Sequence, residues 1–395
     1  MFLLPIIAGC CSAFILSFVL NRLTLIPWRK TADRHWTERA RVLYPARCSS
    51  SVNTLLIPAN IVVVQLLFHP ALSACWGTLF LFNFLCALAG SFWFQKDIFP
   101  GLTWGCWLSQ IIIGALLRWG LMFAYVICAI AMPDHFGWQT WAVIIGLLLF
   151  HCALLSGRRL KWMLRLGLAL PPDERLQRIV SETSARLDVP DVRVWRITGM
   201  WAQAYALPVS RELLFSTSLL KACDDREIAS ICAHELGHLT EPKAVLFRRI
   251  AVTFAFLPLL FMQPMIAATG PLALVLPAGT LLLLLLVRKL SIRMEQRADT
   301  IAAADQLEAG VYGRALEKIY RENQIPAVTS GRHPTHPHLY DRLQSAGITP
   351  DYPRPKPAKK YQWSTFVLYV WLIISVLVYL NLFCTPNPPF PVQWQ

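Results

Sequence analysis

Residues 233–238 read Ala-His-Glu-Leu-Gly-His, which places His234 and His238 four positions apart. Residues at this spacing lie one turn apart on the same face of a helix. Two imidazoles so arranged can hold a single Zn²⁺ ion. The alternative to a zinc site is that both histidines face solvent on a surface helix and bind no metal. The preceding residues 227–233 argue against it, because they are apolar enough to be buried, and a buried histidine without a partner is costly.

Glu235 directly follows the first histidine, a position from which a carboxylate can take a proton from the water that zinc activates. This chemistry hydrolyses peptide or ester bonds, so Glu235 is the candidate catalytic base. Such a site also needs a third protein ligand. The candidate is Glu295, four residues before Asp299 on a predicted helix; Asp299 would accept a hydrogen bond from a ligand imidazole and fix its tautomer. A solvated helix face is the alternative for this pair.

The composition indicates a membrane protein. Of 395 residues, 55% are hydrophobic and 15% are charged, and the mean hydropathy is +0.47, whereas soluble domains are about 25% charged. This balance excludes a disordered chain, a disulfide-stapled secreted module and a plain cytosolic enzyme. The eleven cysteines form no CxxC pair and most lie in apolar runs, so those in the polar segments predict a reduced, cytosolic environment.

Eight runs are candidates for membrane-spanning helices, which need about 20 apolar residues each. They are Leu3–Leu20, Asn53–Phe68, Leu72–Phe94, Leu108–Ala131, Trp138–Leu155, Ile250–Thr269, Leu272–Val287 and Trp363–Phe383. The first run has no basic segment before it and no clear cleavage site, which favours a membrane helix over a signal peptide. The sixth and seventh runs could instead form a re-entrant hairpin.

The net charge of +14 (37 basic minus 23 acidic residues) would suggest nucleic-acid binding in a soluble chain. Here the basic residues flank the apolar runs on one side of the membrane, as cytoplasmic loops do. The largest group follows the first run: Arg22, Arg29, Lys30, Arg34, Arg39, Arg41 and Arg47. We therefore predict no nucleic-acid partner, both termini outside, and the polar segments 22–51, 158–249 and 288–362 in the cytosol.

The runs and polar segments divide the chain into six predicted parts. These are an N-terminal membrane domain of about five helices at 1–156, the first half of a hydrolase domain at 157–247, two membrane helices or a hairpin at 248–287, the second half of that domain at 288–349, a linker at 350–362, and a C-terminal membrane helix and tail at 363–395.

The polar segments also carry secondary-structure patterns. Residues 173–187 have helical spacing, 191–197 alternate as a short strand, and 202–217 predict a strand or hairpin, followed by a helix capped by an aspartate at 224 or 225. Residues 291–347 predict two or three short helices. The fold class is therefore mainly α: a polytopic helical membrane protein with a cytosol-facing core that contains a small β-sheet.

Several apolar runs contain polar residues: Asn60, Gln65, Asn83, Gln110, Arg118 and His151. A charged side chain near the middle of a bilayer costs at least about 2.5 kcal/mol, so Arg118 is expected to face a partner or water. A substrate-holding chamber within the membrane and a structural hydrogen-bond cluster are both compatible with this set.

The order of these motifs resembles the zinc metallopeptidase family that includes HtpX and the type I CAAX prenyl proteases. That family has HExxH on a cytosol-facing helix, then two hydrophobic segments, then an ExxxD helix; here the order is His234–His238, the runs 250–269 and 272–287, and Glu295–Asp299. The resemblance covers about 173–343. It implies a zincin-like gluzincin core, one Zn²⁺ per chain and endoproteolysis.

The resemblance implies roles for further residues. The stretch Gln203-Ala204-Tyr205-Ala206 is similar to an Asn-Ala-Phe-Ala edge strand that pairs with the substrate backbone, with glutamine in place of asparagine. The stretch from Thr335 to Pro337 is similar to a late Ser-Thr-His-Pro segment that is followed by arginine. By this similarity His336 stabilises the oxyanion or caps the zinc in a resting state, and Arg342 braces the site. A proline-rich surface turn is the alternative for this segment.

These observations predict a membrane-embedded zinc-dependent metalloendopeptidase. It would cut membrane-associated proteins or peptides at the cytosolic face of a bacterial inner membrane, or of the endoplasmic reticulum membrane in a eukaryote. One alternative is CAAX-type processing of prenylated C-termini. The other is a membrane sensor-transducer that signals by proteolysis, although the short outside loops leave little room for a sensor domain.

Overall fold

The computed structural model describes residues 3–133, 135–306, 308–330, 338–345, 347–360, 370, 371 and 374. The chain forms two compact units. The first comprises Met1–Trp104, Gln324–Ser330 and Arg354–Gln395, and the second comprises Gly105–Asn323 and Gly331–Pro353. The six-part division predicted from the sequence stays a prediction.

Apolar helices build the first unit. They are α1 (Leu3–Thr24), α2 (Ile26–Arg29), α3 (Trp36–Phe68), α4 (Trp76–Gly90) and α5 (Phe92–Ile98), with a 3₁₀ turn at Pro70–Cys75. Small residues let α1 and α4 pack closely, because Gly9, Ala13 and Ser17 recur every four residues on the buried face of α1. A Cβ atom on Gly90 would lie 2.5 Å from the carbonyl oxygen of Phe14, so this crossing requires glycine.

Buried amides join the helices of the first unit. The Gln65 side chain donates to the Pro5 carbonyl (2.7 Å) and accepts from Asn83 (2.8 Å). On another part of the same interface, Asn53 donates to the Asn21 side chain at 2.9 Å. Two of the polar residues singled out in the sequence, Gln65 and Asn83, thus belong to a structural hydrogen-bond network.

The second unit contains the remaining described helices and all of the described strands. The helices are α6 (Trp104–Gly114), α7 (Gly120–Ala131), α8 (Trp138–Ala153), α9 (Arg159–Arg165), α10 (Glu174–Arg186), α11 (Thr217–Ala222), α12 (Asp225–Leu239), α13 (Lys243–Thr253), α14 (Met262–Thr269), α15 (Val275–Asp305), α16 (Val311–Glu322) and α17 (Leu339–Ser345). The strands are β1 (Ala169–Leu170), β2 (Arg193–Ile197), β3 (Ala204–Leu207) and β4 (Glu212–Ser216). Short π segments at Ala115–Trp119 and Leu154–Arg158, and 3₁₀ turns at Leu257–Phe261 and Gly270–Leu274, complete it.

Five helices within the described ranges are long and apolar enough to cross a membrane: Leu3–Thr24, Trp36–Phe68, Trp76–Ile98, Trp138–Arg165 and Lys243–Thr269. The pair Trp104–Leu117 and Gly120–Ala129, bent by 75°, would make a sixth, and Leu272–Leu285 is a shorter apolar helix. The predicted run Trp363–Phe383 lies outside the described residues apart from 370, 371 and 374. Several apolar helices are therefore confirmed, and the total of eight spans and the orientation stay predictions.

The sheet has four strands in the order β1-β2-β4-β3. Strands β2 and β4 are parallel, while β1 pairs antiparallel with β2, and β3 antiparallel with β4. The predicted strand at 191–197 and the predicted hairpin at 202–217 are confirmed, as is the mainly helical fold with a small sheet. Because β3 pairs only with β4 in this order, it forms one edge of the sheet.

The two or three short helices predicted for 291–347 are only partly correct. The structure has α16 and α17 in this region, but residues 291–305 continue the 31-residue helix α15, which begins at Val275. The physical reason is local: the sequence between Thr280 and Asp305 contains neither glycine nor proline, so nothing in it ends the helix. One helix thus carries both the seventh apolar run and Glu295 with Asp299.

His151 bridges helices of the second unit. Its Nδ1 lies 2.8 Å from the Tyr125 hydroxyl, and its Nε2 lies 2.7 Å from the Thr253 hydroxyl. This polar residue of the apolar runs therefore has structural partners. The side chain of Arg118 is outside the described residues.

Candidate metal centre

Helix α12 begins with a complete capping box. The Asp224 carboxylate accepts from the Glu227 backbone N–H at 2.9 Å, and the Glu227 carboxylate accepts from the Asp224 N–H at 2.9 Å. Lys318 of α16 donates to the buried Glu227 carboxylate at 2.7 Å. The predicted aspartate cap is confirmed at Asp224, and it fixes the start of the helix that carries both histidines.

The three predicted metal ligands meet at one point. Oε2 of Glu295 lies 3.5 Å from Nε2 of His234 and 3.5 Å from Nε2 of His238. The three ligand atoms all lie within 4.8 Å of one another, and both imidazoles are buried. Two imidazole nitrogens and one carboxylate oxygen are the donor set that zinc accepts in hydrolytic sites, so these residues fit a zinc ion.

Close packing brings α15 to α12. Gly237 lies between the two histidines, and a Cβ atom there would approach the Cα and Cβ of Ala298 to 3.2 and 3.3 Å. Arg297 ties the same helices together, since it donates to the Gly237 carbonyl at 2.7 Å and to the Thr240 hydroxyl at 3.1 Å. The glycine within the motif thus lets Glu295 reach the imidazoles.

A buried cluster orients His234. Tyr312 donates its hydroxyl proton to Asp299 at 2.7 Å, while Arg342 donates to the Tyr312 oxygen at 3.0 Å. The His234 Nδ1 lies 2.8 Å from that oxygen and 3.1 Å from the Asp299 carboxylate. The oxygens of Tyr312 and Asp299 can only accept here, so Nδ1 carries a proton. Nε2, which lies 3.5 Å from Glu295, is then the ring atom that can bind a metal.

Asp299 is held as a carboxylate. Arg342 donates to its two oxygens at 2.9 and 2.5 Å, and the Arg342 side chain is 7% exposed. Burial alone would raise the pKa of Asp299, but the hydrogen bond from His234 and the charge of Arg342 outweigh it and hold that pKa well below its usual range. Asp299 therefore accepts from His234 at neutral pH. Its role in fixing the tautomer of a metal ligand stays a prediction.

A different carboxylate orients His238. Oε1 of Glu241 lies 2.9 Å from the His238 Nδ1 and 2.7 Å from Nη2 of Arg249. An ionised carboxylate only accepts, so Nδ1 of His238 also carries the proton and its Nε2 also points toward Glu295.

Glu235 lies between the two imidazoles in sequence and is half-buried, unlike both histidines. A carboxylate at this position on the helix can reach water beside the ligand group. The next residue, Leu236, is fully buried in the hydrophobic core. The role of Glu235 as the catalytic base stays a prediction.

The structure places the predicted substrate strand at the edge of the sheet. Residues Ala204–Leu207 form β3, and Gln203 precedes it with its carbonyl accepting from the Ser216 N–H at 3.0 Å. Tyr205 pairs with Leu214. In an antiparallel pair, hydrogen-bonded and non-hydrogen-bonded residues alternate, so the backbone groups of Ala204 and Ala206 point away from β4.

The sequence pattern did not single out Tyr312, Glu241 or Arg249. Glu241 carries a readable signal, because it follows His238 by three residues and so lies near it at the end of the helix. Tyr312 and Arg249 carry none, since their distance in sequence from the histidines has no fixed relation to the fold. His336, a predicted site residue, lies outside the described residues.

Two histidines and a glutamate at one point, beside the edge of a small sheet, are the arrangement of a zinc metallopeptidase. The family comparison narrows this class: residues 171–347 match the model of peptidase family M48. The resemblance found in the sequence is thereby confirmed.

One relative has been described as a protease. It is named "Protease HtpX homolog", comes from Pyrobaculum aerophilum, and is 28% identical to this chain over 119 residues. The match covers 29% of this chain and 34% of that protein. The chain thus spans about a third of the length of the curated relative it matches.

Proposed function

We propose that the chain is a membrane-embedded zinc-dependent metalloendopeptidase that hydrolyses peptide bonds of membrane-associated proteins. The convergence of His234, His238 and Glu295 within 4.8 Å carries this proposal. The match of 171–347 to peptidase family M48 and the protease relative support it. One zinc ion per chain would be held by these three side chains, and when bound it supplies Lewis acidity that polarises a carbonyl and activates water.

The residues of the chain have separate roles in this proposal. The Glu235 carboxylate takes the proton of the attacking water and then gives it to the leaving amine. Asp299, Tyr312 and Arg342 hold His234 with its Nε2 lone pair toward the ligand group. His336 would stabilise the oxyanion or cap the zinc in a resting state.

The substrate would bind as an added strand. The outward N–H and C=O groups of Ala204 and Ala206 offer an extended peptide two pairs of backbone hydrogen bonds. These hydrogen bonds recognise the backbone of the substrate and not its side chains, so they suit an enzyme that cuts many different sequences. The stretch 203–206 is therefore the proposed substrate-binding segment.

Membrane residence follows from the apolar helices. Lys243–Thr269 follows directly on α12, and the apolar start of α15 precedes Glu295 in the same helix. Both elements that carry ligands are thus continuous with apolar segments, which would restrict the site to substrates near the membrane.

A cytosolic orientation predicts that an impermeant thiol reagent labels His135→Cys but not Arg158→Cys on intact cells; the reverse would refute it.

The decisive experiment is Glu235→Gln. We expect this variant to keep about one zinc per chain and to lose proteolysis, because it removes the proton acceptor and leaves the ligands in place. Glu174→Gln, at an exposed position of α10, is the matched control and should retain activity.

The same variant, used to trap substrates in native membranes, would show which proteins enter the site. Prenylated C-termini among them would favour the CAAX-type alternative. Full zinc occupancy in Glu295→Ala would remove Glu295 from the ligand set, and full proteolysis in Glu235→Gln would refute the proposed mechanism.

A further inference from the structure

We infer that Glu241 is a positioning residue for His238 and that Arg249 keeps Glu241 in place. The inference rests on the proposed zinc site and adds to it a second group of supporting residues. It starts from one carboxylate oxygen, Oε1 of Glu241, which lies 2.9 Å from the His238 Nδ1 and 2.7 Å from the Arg249 guanidinium.

The burial of Glu241 indicates a specific role. Its side chain is 2% exposed, although glutamate is almost never fully buried unless it is paired. The connection between α12 and α13 brings it there: α12 ends at Leu239, α13 begins at Lys243, and Glu241 lies between them. A glutamate exposed to solvent would suffice to join the two helices. The burial of Glu241 is therefore better explained by its contacts with His238 and Arg249.

The two histidines have equivalent supports. On one side, His234 Nδ1 meets Asp299, which is bound by Arg342. On the other, His238 Nδ1 meets Glu241, which is bound by Arg249. Each imidazole thus contacts a carboxylate, and each carboxylate contacts an arginine. A carboxylate on the distal nitrogen fixes the tautomer and the ring plane of a metal ligand and raises its basicity.

The second group also connects the site to an apolar helix. Arg249 lies in Lys243–Thr269, one of the helices long enough to span a membrane. A displacement of this helix would pull on Glu241 and rotate the His238 ring. The charged pair therefore links the geometry of the metal ligands to the position of that helix.

Zinc affinity is the measurement that separates positioning from a structural role. We would purify full-length wild type, Glu241→Ala, Glu241→Gln and Arg249→Met, and measure zinc dissociation constants by competition with a chelator. The matched control is Glu212→Ala. Glu212 is also a buried glutamate of this unit, 3% exposed and paired with Arg193 at 2.9 Å, but it contacts neither histidine in the described structure.

We expect Glu241→Ala to weaken zinc binding by about 10- to 100-fold. Glu241→Gln should be intermediate, since its amide oxygen can still accept from Nδ1. Arg249→Met should weaken binding on its own and add little to Glu241→Ala, because both changes break the same group. The visible spectrum of the Co²⁺-substituted Arg249→Met variant should differ from that of the wild type, which gives a second readout if Glu241→Ala fails to fold.

Three results would overturn the inference. They are wild-type zinc affinity in Glu241→Ala, an equal loss of affinity in Glu212→Ala, and, should Glu241→Ala not fold, an unchanged affinity and Co²⁺ spectrum in Arg249→Met. A wild-type protein that binds no zinc would refute the proposed function and this inference together, whereas zinc binding with unchanged variants would refute this inference alone.

Discussion

The two units bury polar side chains in different ways. In the first, a set of neutral groups bonds across the helices: Gln65 and Asn83 bond to each other, and Ser17 donates to the Ala87 carbonyl at 2.6 Å. In the second, the groups around the histidines are charged, as with Asp299 and Arg342. The two sets face different desolvation costs, because a neutral amide needs only hydrogen bonds, whereas each buried ion loses several kcal/mol of hydration.

The difference separates stability from function. A buried ion pair is weak evidence for stability, since apolar residues of the same volume often stabilise as well or better. The charges around the imidazoles are better explained by the orientation of metal ligands. Removing a neutral partner in the first unit should therefore affect stability alone, whereas removing a charged partner in the second should affect stability and zinc binding together.

The largest effect is expected for Arg342→Met. This change leaves the Asp299 carboxylate buried without its guanidinium and removes a donor to Tyr312, and breaking a buried pair in this way costs about 3–5 kcal/mol. We expect that loss in the free energy of unfolding, measured in denaturant, together with weaker zinc binding. Arg226→Met is the control, because Arg226 pairs with Glu308 at the surface, where side chains are 67% and 53% exposed. Equal losses in the two variants would remove the contrast between buried and exposed pairs.

The first unit offers a test of intermediate size in Gln65→Leu. The variant leaves Asn83 without its acceptor and the Pro5 carbonyl without its donor, so we expect a loss of about 1–3 kcal/mol in unfolding free energy, measured by thermal unfolding in detergent.

The double variant Gln65→Leu/Asn83→Leu sharpens this test. Because it replaces both partners of the amide pair by apolar groups, it should recover the part of the loss that comes from Asn83, while the Pro5 carbonyl still lacks its donor. Neither variant should change the zinc content. The double variant could instead lose as much unfolding free energy as Gln65→Leu and Asn83→Leu lose together, or it could bind less zinc. Either result would show that these amides do more than pair with each other.

The sequence predicted the ligand group because its determinants are local. His234 and His238 are one helical turn apart, and Glu295 with Asp299 repeats that spacing, so the helix period alone places each pair on one face. That the two faces meet depends on Gly237 and Ala298, which allow close contact. A single sequence contains no direct record of such a contact. Glu295 was predicted as the third ligand from its spacing to Asp299, and the structure shows how the two helices bring it to the histidines.

The supports of the histidines could be predicted only in part. Asp299 shares a helix with Glu295 and was found by spacing. Tyr312 reaches His234 from another helix, and its place depends on the packing of α16 against α12, which no period in the sequence encodes. Helix α15 shows the opposite error: separate elements were predicted where one helix continues, because the change from apolar to charged composition was taken as a boundary.

The smallest effect is expected for Asp225 at the start of α12, because its ion pairs lie at the surface. Asp225 accepts from Arg175 at 2.6 Å and from Arg178 at 3.1 Å, and its side chain is 51% exposed. The hydrogen bond from Arg175 lowers the pKa of Asp225 in the folded protein below its ordinary value of 3.8. The stabilisation is therefore complete above the unfolded pKa and is lost as the pH falls through the folded pKa.

We expect Asp225→Asn to lower the free energy of unfolding by at most about 1 kcal/mol at pH 7, since exposed pairs contribute little. The difference from wild type should stay constant between pH 8 and pH 6, and it should shrink as the pH falls below the ordinary pKa of 3.8. Denaturant unfolding at a series of pH values measures it. A stability difference that grows on acidification would contradict this prediction. It would show that the effect of Asp225 does not come from its pairing with Arg175.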